Sequence, residues 1–312
     1  MHRIGYLLTD GFQMLALGTQ SVFEFANTVL ERPYYTVEQY AMDAGGVRSS
    51  MGVTVACKAI GEAERLDTLV VLGVTDPLGN PTPARLADFL RHADIWRRVA
   101  GICTGAFTLA EAGLLDGRRV TTHWAYGRTL QRMHPRASVE EDRIYMVDGP
   151  VWTSAGMTAG LDLALALVEK DLGNDVARTV AHKMVMHQRR SGGQTQHSEL
   201  LQLSPKSDRI QNALSYARKH LHRAVSVEEL AESANLSPRQ FSRVFTAETG
   251  QSPAKALEGL RLEAARLMIE QSRHPLEIIA RETGFRDRRH LREAFVRGFG
   301  VAPQSLRREA RI

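Results

Sequence analysis

Cysteine is scarce in this sequence, and long apolar runs are absent. Only Cys57 and Cys103 occur in 312 residues, so we expect no disulfide framework and a reducing, cytoplasmic compartment. No apolar run reaches the roughly 18 residues that a membrane-spanning helix needs, and the chain opens in a strand pattern without a signal-peptide core. His182 and His187 have no cluster of further ligands beside them, so we expect neither a metal nor a cofactor.

The length and composition are typical of a globular chain with about two domains. Hydrophobic residues make up 43% and charged residues 24%, which excludes a disordered or collagenous chain. Charge is distributed unevenly, because the first 200 residues sum to −2 and the remainder to +7. In that remainder arginine far outnumbers lysine, and its planar fork suits phosphates and guanine edges. The charge favours a nucleic-acid-binding module joined to a second domain, although a solvated basic face would give the same pattern.

Strand and helix patterns alternate through the first two thirds of the chain. Their order predicts a mostly buried parallel sheet with helices on both faces. The predicted strands are 3–8, 35–42, 69–72, 99–102, 119–121, 144–147 and 151–153. The predicted helices are 16–30, 83–97, 157–172 and 176–190.

A polar stretch that begins near Gly192 and Gly193 follows the last of these helices. Such a composition indicates a linker. We therefore expect an α/β domain at 1–190, a linker at 191–206 and a helical domain at 207–310. The linker is where a ligand-induced rearrangement of the two domains would be absorbed.

The C-terminal part contains an internal repeat. The tetrapeptides that begin at Gly250 and Gly300 both read Gly-x-x-Pro, and Phe245 and Phe295 share the same 50-residue offset. Each unit has the pattern of a short helix, a tight turn and a longer helix, with Ser237 and Asp287 as N-caps of the longer helices. A helix at 254–271, about 27 Å long, separates the units by roughly one 34 Å turn of DNA.

Two helix-turn-helix units predict DNA binding, because the second helix of such a unit presents its outward face to the major groove. Arginine bonds guanine and glutamine bonds adenine in a bidentate manner. Helix-turn-helix patterns also occur in ordinary bundles, but the duplication, the spacer helix and the arginine excess together favour DNA. The candidate DNA-binding residues are Ser237, Arg239, Gln240, Ser242, Arg243, Arg288, Arg289, His290 and Arg292.

Residues 208–308 closely resemble the AraC/XylS-type DNA-binding domain. The resemblance rests on Leu236-Ser237-Pro238, on the Gly284-Phe285 turn and on the two Gly-x-x-Pro stops. This sequence departs from the family at Leu306-Arg307, where an aromatic residue usually precedes arginine, and at Gly298-Phe299, where a basic residue is common. The resemblance implies promoter DNA as a partner, with RNA polymerase as a further candidate.

The predicted strand 99–102 runs directly into Cys103-Thr104-Gly105 and then a helix. A side chain at such a junction lies on a sharp turn beside the free amides of a helix N-terminus, which favours an anion and lowers a thiol pKa. This is the layout of a nucleophile elbow. His123 follows the next predicted strand, so a Cys–His dyad is a candidate. Cys57 is predicted to be an inert buried thiol.

The stretches 101–106, 113–117 and 121–124 resemble the PfpI/ThiJ-type, class I amidotransferase-like family. With the AraC-type module behind it, the whole chain resembles GlxA-type regulators. The resemblance implies a flavodoxin-like α/β sandwich, an all-α double helix-turn-helix domain and a homodimer formed through the first domain. Hydrolytic members place an acidic side chain against the cysteine, whereas here Leu15 is aligned with that carboxylate and Ser21 stands where regulators often have Glu. This loss argues against catalysis.

We therefore predict a DNA-binding transcriptional regulator that responds to an unknown small metabolite held by a non-catalytic first domain. The candidate pocket residues are Asp10, Cys103, Thr104, His123 and Trp124. Two alternatives stay open. One is a Cys103-dependent amidase or isonitrile hydratase fused to a DNA-binding module. The other is a constitutive DNA-binding protein whose first domain serves only for dimerisation.

Charged residues within apolar surroundings carry further expectations. Asp162 lies in an apolar helix and would cost several kcal/mol if it were buried unpaired, so we expect it to have a partner. The dipeptides Arg97-Arg98 and Arg189-Arg190 are predicted to be solvated helix ends.

Overall fold

The computed structural model describes residues 1–62, 65–92, 96–186 and 207–309, and between 187 and 206 it describes residues 190, 192, 196 and 203. The chain divides into two compact units, Met1–Gln196 and His197–Ile312. Most of the predicted linker at 191–206 lies outside the described residues. Within the described ranges, no helix has the combination of length and hydropathy that crossing a bilayer requires.

The first unit is built on an eight-stranded sheet that is parallel except at its two edges. Its order is β3-β4-β2-β1-β5-β6-β10-β9, and β7 and β8 form a separate parallel pair. The strands are β1 (His2–Leu7), β2 (Tyr35–Ala41), β3 (Gly45–Arg48), β4 (Thr54–Ala59), β5 (Thr68–Leu72), β6 (Arg98–Ile102), β7 (Arg119–Val120), β8 (Ser138–Val139), β9 (Tyr145–Asp148) and β10 (Val151–Ser154). The predicted α/β architecture is confirmed, and β3 and β8 are strands that were not predicted from the sequence.

Helices cover both faces of this sheet, which explains why every residue of β5 and β6 is buried. They are α1 (Met14–Leu17), α2 (Gln20–Leu30), α3 (Ala84–Arg91), α4 (Gly105–Glu111), α5 (Gly127–Met133), α6 (Met157–Leu172) and α7 (Asn174–Lys183). One apolar core takes residues from α1, α2, α6 and α7, and the other takes residues from α3, α4 and α5. The helix predicted at 157–172 is confirmed, whereas those predicted at 83–97 and 176–190 end early, at Arg91 and Lys183.

A buried ion pair joins the start of β6 to the end of α6. The guanidinium of Arg98 donates to both carboxylate oxygens of Asp171, at 2.9 and 2.7 Å, and the Tyr35 hydroxyl donates to the same carboxylate at 3.0 Å. Arg98 is only 6% exposed, so the prediction of a solvated helix end is wrong for this residue. β6 begins at Arg98, and the side chain of Arg98 lies against the end of α6, where Asp171 is.

A second buried carboxylate belongs to Asp162 of α6, which is fully buried. Its oxygens accept hydrogen bonds from the main-chain N–H and from the Nε of Arg190, both at 2.8 Å. The expectation that Asp162 has a partner is confirmed. The prediction that Arg190 is a solvated helix end is wrong, because the helix has already ended at Lys183, and Arg189 lies outside the described residues.

The described residues of the second unit form helices joined by short turns, with no strand among them. Its helices are α8 (Asp208–Lys219), α9 (Val227–Ser233), α10 (Pro238–Thr249), α11 (Pro253–Gln271), α12 (Leu276–Glu282), α13 (Arg288–Phe299) and α14 (Pro303–Glu309). α9 with α10 and α12 with α13 form the two predicted helix-turn-helix units. The predicted N-caps are confirmed, since the Ser237 side chain accepts from the Gln240 N–H and the Asp287 side chain from the His290 N–H.

Each helix-turn-helix unit has an apolar core of its own. The first core contains Phe241 and Phe245, and the second contains Leu291 and Phe295. The long helix α11 contributes Leu257 and other residues near its start to the first core, and residues near its end to the second. One rigid helix therefore belongs to both units and sets the distance between them.

Candidate functional site

Cys103 occupies a sharp turn between β6 and α4, as the sequence predicts. Its φ is +57°, in the left-handed region that non-glycine residues rarely adopt. The main-chain N–H of Cys103 donates to the Ser154 carbonyl at 3.0 Å, and its own carbonyl accepts from Thr122 Oγ1 at 2.9 Å. These bonds hold a strained residue in place at the carboxyl edge of the sheet, which is where open α/β sheets bind ligands.

The backbone around this elbow is packed too tightly to accommodate a side chain at Gly73 or Gly105. A Cβ on Gly105 would lie 2.3 Å from the Val71 carbonyl oxygen, and one on Gly73 would lie 2.3 Å from Thr104 Oγ1. Thr104 is 2% exposed, and its hydroxyl donates to the Val74 carbonyl at 2.5 Å. The Thr104 side chain therefore fastens the elbow to the end of β5.

The thiol of Cys103 is 1% exposed, and this burial raises its pKa to about 11. Hydrogen bonds with Thr104 and with the side chain of Gln13 favour the thiolate, but they only partly offset the cost of desolvating a charge. The Thr104 amide at the helix N-terminus does favour the thiolate, but the expectation of a lowered thiol pKa is wrong, because burial outweighs this effect. At neutral pH the thiol stays protonated, and the thiolate is the form that acts as a nucleophile.

The loop after β1 places an amide, rather than a carboxylate, beside this thiol. Gln13 hydrogen-bonds Cys103 with its side chain, and its main-chain N–H donates to the Gly73 carbonyl at 2.9 Å. Leu15, which we aligned with the family's carboxylate, is 56% exposed. Sequence reasoning missed Gln13, although a polar residue within an apolar strand-to-helix segment was the available signal.

Two buried polar atoms next to Cys103 have no hydrogen-bond partner among the described residues. They are Gln13 Oε1 and the hydroxyl oxygen of Ser154, a residue that is fully buried. Both side chains belong to residues bonded to Cys103, through its thiol or its main chain. A buried polar atom without a partner costs free energy, so this site retains unused capacity to bind a polar group.

The remaining pocket candidates, His123, Trp124 and Asp10, differ in their exposure and in their contacts. His123 is half-buried directly after Thr122, and its Nδ1 accepts from the Ala125 N–H at 3.3 Å. The Trp124 ring lies 5.6 Å from the His123 ring and is 55% exposed. Asp10 is exposed and accepts from the Arg48 N–H at 3.0 Å, so its carboxylate ties the loop after β1 to the end of β3.

Gln196, near the end of the first unit, is bound to the segment that carries His123 and Trp124. Its Oε1 accepts from the Trp124 N–H at 2.8 Å, and its Nε2 donates to the Thr122 and Glu141 carbonyls, both at 2.9 Å. Its main-chain N–H donates to Asp142 Oδ1 at 2.8 Å. Sequence reasoning placed Gln196 in a linker, because a glutamine in a polar run gives no local sign of a docked side chain.

In the first helix-turn-helix unit, the second helix, α10, is the candidate DNA-reading helix, as α13 is in the second, and it presents two arginines whose side chains have no partner among the described residues. Arg239 and Arg243 are exposed, and their side chains form no hydrogen bond or ion pair with any described residue, while Ser242 is half-buried. Ser237 and Gln240 form a capping box, in which Gln240 Oε1 accepts from the Ser237 N–H at 3.3 Å. The structure thus gives these two residues a role in starting the helix, whatever their role on DNA.

The second reading helix, α13, has most of its arginines in ion pairs. Arg288 donates to Glu277 at 3.1 Å and Arg289 to Glu293 at 2.8 Å, and all four side chains are exposed. Arg292 is exposed and has no partner within the described part of the chain. The half-buried His290 packs its ring edge-on against Phe285 and accepts from the Arg286 N–H, which indicates a structural role.

Comparison with known families matches both units. Residues 19–170 match the DJ-1/PfpI family, and residues 230–309 match a helix-turn-helix domain family. The chain is 31% identical over 324 aligned positions to the HTH-type transcriptional regulator GlxA of Rhizobium meliloti, an alignment that covers 99% of this chain and 97% of that protein. It is also 44% identical over 94 residues to isonitrile hydratase from Pseudomonas putida, covering 30% of this chain and 40% of the hydratase.

A solved structure supports the fold of the first unit. An AraC family transcriptional regulator from Pseudomonas putida superposes with a TM-score of 0.53 and 23% sequence identity, over 59% of this chain and 100% of that one. At this identity the likeness bears on the fold alone.

Proposed function

The chain belongs to the GlxA-like family of HTH-type transcriptional regulators, and from this we propose that its first unit is a non-catalytic effector-binding domain that controls promoter binding by the second. The observation that best supports sequence-specific DNA binding is the outward face of α10. It presents Arg239 and Arg243, exposed and unengaged by any described residue, from a helix that Ser237 caps. An arginine in the major groove bonds the O6 and N7 of guanine.

Arg239→Ala is expected to weaken operator binding by about 1–3 kcal/mol and to relax base preference at one position. Gel-shift titration on the upstream DNA of the protein's own gene, at fixed salt and with excess non-specific competitor, measures both effects. Arg218→Ala is the matched control, because Arg218 is an exposed arginine on α8 outside both reading helices. Equal weakening on all sequences would mean that Arg239 contacts phosphate rather than a base.

Two features of the elbow support effector binding over turnover. The protonated, buried thiol of Cys103 is a poor nucleophile, and its neighbour from the loop after β1 is the amide of Gln13 rather than an acid. The unpartnered oxygens of Gln13 and Ser154 suit a polar metabolite. We propose that Cys103, Thr104, His123 and Trp124 border this site and that the catalytic acid is lost. The partial match to isonitrile hydratase favours the enzyme alternative, which predicts turnover that Cys103→Ala abolishes.

The contacts of Gln196 support a path by which a ligand bound near Cys103 affects the segment that joins the two units. Thr122 bonds both the Cys103 carbonyl and, through its own carbonyl, Gln196. A ligand that moves the 121–124 segment would therefore change how firmly Gln196 is held. Such a ligand shifts the protein between states only as far as its affinities for those states differ.

Gln196→Ala is expected to accelerate hydrogen exchange at the Trp124 amide by about ten- to a hundredfold, because that amide loses its acceptor. It is also expected to weaken the dependence of operator binding on added cell extract as an effector source. Arg128→Ala removes only an exposed ion pair with Glu141 and serves as the control. An unchanged exchange rate at Trp124 would contradict the docking of Gln196, and unchanged extract dependence would contradict the path.

A further inference from the structure

The two reading helices present different chemistry at equivalent positions. With the 50-residue offset, Arg239, Ser242, Arg243 and Thr246 of α10 correspond to Arg289, Arg292, Glu293 and Val296 of α13. Each set follows the spacing i, i+3, i+4 and i+7, so each forms one face of its helix. The residues on the opposite side, such as Phe241 and Leu291, are buried, so both of these faces point outward.

On α13 this outward face carries an acid and an aliphatic side chain. The Glu293 side chain is 54% exposed, and Val296 is 44% exposed. The hydrogen bond from Arg289 lowers the pKa of Glu293, so its carboxylate is ionised at neutral pH and only accepts hydrogen bonds. The corresponding positions on α10 hold Arg243 and Thr246, which offer a cation and a hydroxyl instead.

These two side chains match particular groups in the major groove. A carboxylate accepts from the exocyclic N4 amine of cytosine, and an apolar side chain contacts the methyl group of thymine. A carboxylate on a DNA-facing helix repels phosphate, so it weakens binding unless it finds a donor on a base. The ion pair with Arg289 does not prevent this role, because exposed pairs contribute little and separate readily.

We propose that Glu293 and Val296 are base-reading residues of the second helix-turn-helix unit. Glu293 accepts from the N4 amine of a cytosine, and Val296 contacts the methyl group of a thymine. The operator then consists of two half-sites with different sequences, since the first helix-turn-helix unit carries Arg243 and Thr246 at these positions. The inference rests on the proposed reading of DNA by both units.

The test begins with the full-length wild-type chain and a random DNA pool, from which the preferred operator is selected. Base preference at each operator position is then measured by competition for wild type, Glu293→Gln and Val296→Ala. Glu277→Gln is the control. Glu277 lies on α12, pairs with Arg288 of α13 and does not belong to the outward face of α13. A second probe carries deoxyuridine in place of single thymines, which removes only the methyl group.

Glu293→Gln is expected to reduce the preference for cytosine at one position of the second half-site by about fivefold or more, with the first half-site unchanged. Deoxyuridine at one thymine is expected to weaken wild-type binding but not binding by Val296→Ala. Glu277→Gln is expected to keep every preference. Unchanged base preferences in Glu293→Gln and Val296→Ala, with specific wild-type binding intact, would overturn this inference alone. Failure of wild type to select any sequence would overturn the proposed DNA reading as well.

Discussion

Asp171→Ala is expected to lower the free energy of unfolding of the first unit by about 3–5 kcal/mol, because it leaves the buried guanidinium of Arg98 without a counter-charge. The side chains of Arg98 and Asp171 are 7% and 2% exposed, and their two-pronged contact is completed by the Tyr35 hydroxyl. Without the carboxylate, the guanidinium of Arg98 retains only Thr68 and His2 as hydrogen-bond partners among the described residues. Neither carries a compensating negative charge.

Tryptophan fluorescence during denaturant unfolding measures this effect without interference from the second unit. All three tryptophans, Trp96, Trp124 and Trp152, belong to the first unit. Asp175→Ala is the matched control, because Asp175 is 92% exposed and pairs with Arg178 at 3.6 Å. We expect it to change stability by no more than about 0.5 kcal/mol. Equal effects of the two substitutions would contradict the importance of the buried pair.

Gly284→Ala is expected to destabilise the second unit by about 2–5 kcal/mol, through backbone strain and steric overlap together. Gly284 has a φ of +73°, and a Cβ there would lie 2.1 Å from the Leu221 carbonyl oxygen. The turn of the second helix-turn-helix unit therefore packs directly on the chain that precedes the first. Arg261 of α11 strengthens this junction by donating to the Arg223 carbonyl at 3.0 Å. A displaced turn would also change the spacing of the two reading helices, so we expect operator affinity to fall more than about tenfold.

Gly250→Ala separates the effect of backbone strain from the effect of steric overlap. Gly250 has nearly the same φ, +75°, but a Cβ there would meet nothing within 4 Å. Its substitution is expected to cost only the conformational term, about 1 kcal/mol. Far-UV circular dichroism during unfolding, compared with the tryptophan signal of the first unit, gives the stability of the helical unit. If both alanine variants lose the same stability, the contact between Gly284 and Leu221 has no energetic weight.

Local patterns were sufficient to predict the layers and most of the elements. The apolar run of β6, the uninterrupted helix 157–172 and the caps Ser237 and Asp287 are each encoded within a few residues. Predictions failed where a short element was weakly patterned, as in β3 and β8. They also failed where a helix was extended past its last packed residue, as at Lys183.

The site near Cys103 was predicted in part. The elbow itself follows from a strand that runs into a helix, and its positive φ bears this out. The raised thiol pKa follows from burial, which depends on elements far apart in the chain. The same holds for Gln13 at the thiol and for Gln196 on the 121–124 segment, because neither contact has a sequence period.

By itself, the sequence determined the α/β first unit, the duplicated helix-turn-helix units and the arginine-rich reading helices. These depend on periodicity, capping and composition, which are properties of neighbouring residues. Only the tertiary structure decided which arginines are buried, which side chain faces Cys103 and which arginines of α13 form ion pairs within the protein. Each depends on desolvation and on partners distant in sequence, such as Arg98 with Asp171 and Arg190 with Asp162, and local spacing carries no record of either.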